Sequence, residues 1–179
     1  MLGKVELLAL LEERGLPVTC EQHETVLNMA ESGKLMLSLS GARCKNLLLQ
    51  DKRGRCFLVV TTASKSLDLV ATAEVLRSKR LSFASADKLF DVLGVRAGSL
   101  SPFALVNDDE QRISLVIDAE LAEERVFLFH PLESDTTASI ARNDLDVFLA
   151  SIQHQPSWVE LRARETTPDW RLCRTLRLE

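Results

Sequence analysis

The sequence predicts an α/β fold of the α+β type: a single domain with a mixed, curved central sheet flanked by helices. Three features carry that prediction. Segments of helical and of strand-like apolar spacing follow one another through most of the chain, which calls for helices packed on a sheet around one core. Two apolar runs, residues 44–50 and 55–61, are joined by Asp51-Lys52-Arg53-Gly54, a hairpin turn that rules out a purely parallel, doubly wound sheet. The length of 179 residues, without an internal repeat, suits one domain with a real core.

The first periodic segment, residues 6–13, carries Leu7, Leu8 and Leu11 with Gly15 just past its end, a helix with a glycine stop. Residues 17–22 read as a short strand leading to His23. Residues 29–40 are ambiguous, a weak helix start followed by small-residue loop character. The hairpin strands come next. Leu67, Leu69, Val70, Ala73, Val75 and Leu76 mark a helix over 67–79. Residues 82–84 form a short strand, and Ser85 caps a helix over 86–93 that Gly94 ends. Residues 103–106 are expected to be extended, before the polar turn Asn107-Asp108-Asp109-Glu110. Strands over 113–117 and 126–129 flank a short Glu120-Leu121 segment. A strand over 136–140 and a helix over 144–152, capped by Asn143, bring the domain to its expected end at residue 155. Residues 156–179 hold five arginines and two tryptophans without sustained periodicity and read as an appended tail.

Hydrophobic residues make up 46% and charged residues 27% of the chain, the balance of a soluble globular protein. No apolar run approaches the ~20 residues of a membrane helix. The start, Met1-Leu2-Gly3-Lys4-Val5-Glu6, lacks the basic region and apolar core of a signal peptide. A cytoplasmic location with no membrane partner is therefore expected. Cys20, Cys44, Cys56 and Cys173 are scattered without a C-x-x-C pair, which argues against a zinc ribbon or a redox motif. His23, His130 and His154 are too far apart for a local metal motif. There is no G-x-S-x-G, P-loop, G-x-G-x-x-G or H-E-x-x-H, so the expectation is no metal and no cofactor.

The net charge is −4, but residues 43–80 hold nine basic side chains against three acidic ones. A local basic face on an acidic protein suits a partner with a few phosphates, and it is equally what solvated turns and helices present. Two short segments stand out. Lys45-Asn46 opens the first apolar hairpin strand, where a lysine must pair, reach an edge or hold an anion. Gly94, Gly98 and Pro102 fall together between two apolar stretches, where backbone bends and can come close to a ligand.

These segments, with His23, Asp51 and Gly54 in the hairpin turn, Ser99-Leu100-Ser101-Pro102-Phe103, Asn107-Asp108, Asp118, His130-Pro131, Thr137 and the closing Asp144-Leu145-x-x-Phe148-Leu149, occur in an ordered set. The set resembles the prolyl-tRNA-synthetase insertion-domain superfamily, nearest to its free-standing alanyl-tRNA(Pro) deacylases. Ser101 stands where threonine is common in that group and Ala104 where glycine is common.

The resemblance implies an enzyme that hydrolyses the ester of a mischarged amino acid at the 3′ end of tRNA(Pro). Lys45 would anchor the terminal adenosine, and Asn46 would orient the ester or Lys45 itself. Gly98 would line the pocket and help hold the attacking water, with Ser101 and Pro102 completing its turn. His130 would shape the amino-acid pocket, His23 would stand beside it, and Arg80, with Arg77 and Lys79, would reach the acceptor stem. The ester is already activated and the vicinal ribose hydroxyl can assist, so positioning and electrostatics suffice, with alanine separated from proline by size. Prolyl-tRNA synthetase is implied as a second partner. The same fold acting on a cysteine- or serine-mischarged tRNA, or serving as a non-catalytic tRNA- or synthetase-binding module, are the competing functions.

Overall fold

The structure, a computed structural model, describes residues 1–166. Its elements in order are α1 (Lys4–Glu13), β1 (Val18–Gln22), α2 (Met29–Lys34), β2 (Ala42–Asp51), β3 (Cys56–Thr62), α3 (Leu69–Val75), β4 (Leu81–Phe83), α4 (Ala86–Leu93), β5 (Ile113–Asp118), β6 (Val126–Phe129), β7 (Thr136–Ala141), α5 (Arg142–Ser151) and β8 (Ser157–Val159). Two 3-10 segments, Pro102–Asn107 and Ala119–Leu121, flank β5. The strands form one mixed sheet ordered β1-β7-β6-β2-β3-β5-β8, with β4 attached to β2. The expected α+β class and the hairpin are both present: β2 and β3 pair antiparallel from Cys44↔Thr62 to Gln50↔Cys56.

Strand β2 organises the sheet. One edge is paired with β3 along most of its length. The other meets β6 in parallel at only two positions, Ala42↔Phe127 and Arg43↔Leu128, and meets β4 at Leu49, Gln50 and Asp51. Between those pairings the edge of β2 is left open where β6 diverges.

Both faces of the sheet are covered. The larger core gathers Leu58, Val60, Leu115 and Ile117 of the sheet with α1, α4 and α5. At its centre Phe103 meets Phe129 and Phe148 edge-on, with ring centroids 6.0 and 5.6 Å apart. All three rings are buried, each contributing roughly 1.5–3 kcal/mol. The smaller core takes the alternate residues, Leu49, Phe57, Val59 and Val116, as the period of two requires. The ammonium of Lys65 is buried against this side, bonded to Asp118, Glu120 and the Leu161 carbonyl.

Four local expectations change. Residues 103–106 are not extended but belong to the 3-10 segment Pro102–Asn107. Proline at its first position presets a helical φ, and an all-apolar tetrapeptide has no alternation to mark a strand. Asn143 caps nothing, because α5 begins at Arg142. The Arg142 N–H instead donates to the Arg125 carbonyl at 2.8 Å, extending the β6–β7 ladder directly into the helix. Helix α3 is shorter than expected: Asp68 accepts from Val70 and Ala71 N–H at its start, and Arg77 turns to φ +49° just past its end. The ambiguous stretch contains α2, capped by the Asn28 side chain. In the segment read as a tail, Ser157–Val159 pairs in parallel with β5; Trp170 and Cys173 lie outside the described residues.

Candidate functional site

The open edge of β2 is the floor of a cavity of about 150 Å³. Cys44 and Asn46 line it from β2, Leu128, Phe129 and His130 from the diverging end of β6, and Thr137 from β7. Gly98 and Leu100 close one side, and Val26, Leu27 and Asn28 close another. Alternation along β2 puts Cys44 and Asn46 on this face and turns Lys45 to the other.

Three of the sequence candidates therefore line the cavity: Asn46, Gly98 and His130. His23 stands immediately behind it, its ring 5.7 Å from that of His130. Ser101 and Pro102 are buried one layer further back, and the Ser101 hydroxyl donates to the His130 carbonyl at 2.7 Å. Lys45 is half-buried on the opposite face, where its ammonium donates to the Lys65 carbonyl at 2.6 Å. Arg80 is exposed beside β4, which pairs with the far end of β2, and so lies away from the cavity.

Gly98 has φ +89°, and a Cβ there would stand 2.7 Å from the Val26 carbonyl oxygen. The added methyl would thus strike backbone of the 26–27 segment rather than simply fill the cavity. That segment is itself tied down, with the His23 and Val26 N–H groups donating to the Asp135 and Ser134 carbonyls.

Polar side chains of both kinds line the cavity: Asn28, Ser32 and Arg43 stand beside Asn46, His130 and Thr137. Asn46 Oδ1 is buried without a hydrogen-bond partner, a condition that costs stability and calls for a donor. His130 Nδ1 lies 2.8 Å from the Thr136 carbonyl; a carbonyl only accepts, so Nδ1 carries the proton and Nε2 the lone pair. Burial holds the His130 pKa below its ordinary 6.5 and the neighbouring His23 adds to this, against the Thr136 bond, so the ring is neutral at pH 7. His23 Nδ1 likewise faces the Glu24 carbonyl at 2.7 Å. In the neutral ring its Nε2 then accepts the proton of Thr137 Oγ1 at 2.9 Å, leaving the threonine oxygen with lone pairs only. Asn46, His130 and Thr137 thus bring acceptors among the groups that line this small space.

Cys44 is not a nucleophile in this setting. Burial, helped by Glu124, pushes its thiol up to about 12, and a thiol rather than a thiolate is unreactive. Among the described residues no three His, Cys, Asp or Glu side chains assemble as a metal site, and no helix is long and apolar enough to cross a membrane.

Arg43 escaped the sequence, and Thr137 was legible only as one member of the ordered set, with no role. Thr137 is an ordinary strand residue until the fold sets His23 against it. Arg43 lines the cavity and donates to the Ser32 and Leu35 carbonyls at 2.9 and 2.7 Å, fastening the end of α2 beside the cavity. A charged residue just before an apolar strand was its only signal.

Residues 23–148 match the model of the aminoacyl-tRNA editing domain. The chain is 31% identical over 145 residues to the prolyl-tRNA editing protein ProX of Acetoanaerobium sticklandii, covering 80% of this chain and 88% of that protein. It is 33% identical over 153 residues to the prolyl-tRNA synthetase associated domain-containing protein 1 of Danio rerio, covering 84% and 83%. A crystal structure of a candidate trans-editing enzyme for prolyl tRNA synthetase superposes with a TM-score of 0.67 at 16% identity, over 92% of this chain and 99% of that one.

Proposed function

This chain belongs to the aminoacyl-tRNA editing domain family, and from that premise we propose that it hydrolyses the ester of alanine mischarged on tRNA(Pro), without a metal. It is an aminoacyl-tRNA deacylase; the amino acid, the tRNA and the mechanism are the proposal. The observation that carries it is the small cavity at the open edge of β2, where Asn46, whose buried Oδ1 has no partner, meets Gly98, His130 and Thr137.

A primary α-ammonium brings three N–H donors on one atom, a match for the acceptors that Asn46, His130 and Thr137 bring. The secondary ammonium of proline brings two, and its ring occupies the direction of the third. One buried acceptor would then stay unpaired, and sites built to hydrogen-bond reject such analogues far more strongly than size alone allows. The cavity's 150 Å³ equals the liquid volume of about five waters. That is room for an alanyl head and an attacking water, with Gly98 and His130 as walls.

Chemistry then requires placement. The vicinal ribose hydroxyl and the backbone at Gly98 hold the water, and the activated ester needs no protein nucleophile. Lys45, which in the structure donates to the Lys65 carbonyl on the other face of β2, would release that bond and swing round the open edge to anchor the terminal adenosine. Arg80 serves the acceptor stem. We assign the editing unit to residues 1–155, with residues 156–179 an appendage that begins by extending the sheet. The relatives' link to prolyl-tRNA synthetase supports that enzyme as partner.

The test is one deacylation panel with Ala-, Cys-, Ser- and Pro-charged tRNA(Pro), run with and without EDTA. Preferential release of alanine, unchanged by the chelator, is expected. Preference for serine or cysteine would move the assignment to another mischarged tRNA, binding without hydrolysis to a non-catalytic module, and loss restored by zinc would remove the metal-free mechanism.

A further inference from the structure

A second concave site lies at the opposite end of β2. A groove of about 620 Å³ is lined by Gln50, Lys52, Leu69, Arg80, Ser82 and Phe83. Two of its lining residues, Lys52 and Arg80, are cationic, and their chain neighbours Arg53, Arg77 and Lys79 are exposed as well. Among the described residues none of these five has a carboxylate within 4 Å. Asp51, the acid within the turn, is buried and paired with Arg55 at 2.8 Å.

The two basic loops are stapled together. Asp51 Oδ1 accepts from the Arg53 and Arg55 N–H groups, and the Arg55 guanidinium reaches on to the Arg77 carbonyl at 3.2 Å. The cations are thus held on a rigid base, so little ordering is needed when an anion binds. Phe83 is 60% exposed, a large aromatic face left in water inside a positive groove. Cations that track a backbone beside an aromatic on which a base stacks are the two parts of a single-stranded nucleic-acid site.

We propose that this groove is a second RNA-binding subsite, in which Lys52 and Arg53 hold backbone phosphates of the substrate tRNA while Phe83 stacks on a base. It deepens the editing assignment and rests on it. Six residues of extended strand separate Asn46 from Lys52, or ~20 Å, so the subsite engages nucleotides well removed from the ester. Affinity for the whole tRNA and chemistry at its 3′ end are thereby carried by opposite ends of one strand.

The test compares wild type, the double variant Lys52→Glu/Arg53→Glu, and Phe83→Ala on two substrates: alanyl-tRNA(Pro) and the alanyl ester of the CCA trinucleotide. With the tRNA, kcat/KM of the double variant is expected to fall tenfold or more, chiefly through KM. Its log–log salt dependence should flatten by about 0.7–0.9 for each phosphate that is no longer neutralised. Phe83→Ala should weaken tRNA binding without changing that slope. The trinucleotide ester should be cleaved alike by all three proteins. Wild-type KM and salt slope in both variants would overturn the proposal, as would an equal loss on both substrates. Anisotropy with uncharged tRNA(Pro) separates the two levels: if wild type cleaves neither ester the editing assignment fails, while loss of tRNA affinity in the variants still upholds the subsite and its retention still removes it.

Discussion

The Nε2 atom of His23 lies 2.9 Å from the hydroxyl of Thr137, a residue 114 positions further along the chain. His23 Nδ1 faces the Glu24 carbonyl, so the histidine is held by a backbone acceptor on one side and the threonine hydroxyl on the other. Thr137 lines the same cavity as Asn46 and His130, and the consequences can be measured.

Asn46→Ala should separate activity from stability. If Oδ1 accepts from a charged substrate group, its loss removes about 1.5–3 kcal/mol of transition-state binding, roughly 10- to 150-fold in kcat/KM. The same change deletes an unsatisfied buried polar atom, so the melting temperature should hold or rise. A fall in both together would mean that Asn46 supports the fold instead.

Lys45→Ala should likewise lower kcat/KM by roughly 10- to 150-fold, the value of a charge-assisted hydrogen bond, in a protein that remains folded. The structure shows a single side-chain hydrogen bond, to the Lys65 carbonyl, too little to make the side chain essential for folding. Near wild-type deacylation by a folded variant would remove Lys45 from the mechanism.

Gly98→Ala should destabilise as well as inactivate. The residue holds φ +89° and its Cβ would meet Val26 oxygen at 2.7 Å, so the methyl strikes backbone as well as the ester's space. Overpacking costs ~1–3 kcal/mol, and each kcal/mol lowers the melting temperature by roughly 2–4 °C in a chain of this size. A variant with an unchanged melting curve would show that the 26–27 segment yields freely.

His130 sets an acid limit. Burial lowers its pKa from 6.5, so the neutral acceptor persists below that value, and kcat/KM should stay level through pH 6.5 and fall only at lower pH. Between the lowered native value and 6.5 the unfolded chain binds a proton that the native ring refuses, so stability rises with pH across that window. His130→Ala should abolish the acid limb and raise the hydrolysis of larger esters relative to alanine. An unmoved Ala/Pro ratio would take His130 out of the selecting wall.

His154, remote from the cavity, has a structural task. Its Nδ1 faces the Ile152 carbonyl at 2.8 Å and its Nε2 the buried Asp108 carboxylate at 3.1 Å. Burial pushes the Asp108 carboxyl up, but His154 and the Arg112 and Ile113 N–H groups outweigh it and hold the pKa below 3.8. The stabilisation is therefore complete above the ordinary carboxyl pKa and is lost as pH falls through the native value. His154→Ala should cost roughly 1.5–3 kcal/mol, the value of a hydrogen bond to a charged group, and move acid unfolding to higher pH, with the relative rates on different esters unchanged.

Much of this was legible in short stretches of chain. Ser85 and Gly94 bound α4 as read, the one accepting from Lys88 N–H and the other at φ +68°, because a cap is decided by residues three or four positions apart. Asp51-Lys52-Arg53-Gly54 announced the hairpin for the same reason. The α5 start escaped local reading because its first N–H is satisfied by Arg125, a partner seventeen positions back that no local pattern records.

By itself, the sequence determined the class of fold, the β2–β3 hairpin and the pairing of Lys45 with Asn46 at a strand entrance, since backbone preferences and side-chain alternation act over a few residues. Only the tertiary structure decided that β6 leaves β2 after two residue pairs, that Asn46 faces the resulting gap while Lys45 turns away, and that Thr137 meets His23. Those outcomes depend on which distant surfaces bury one another, and burial is settled by the whole packed core rather than by neighbours in sequence.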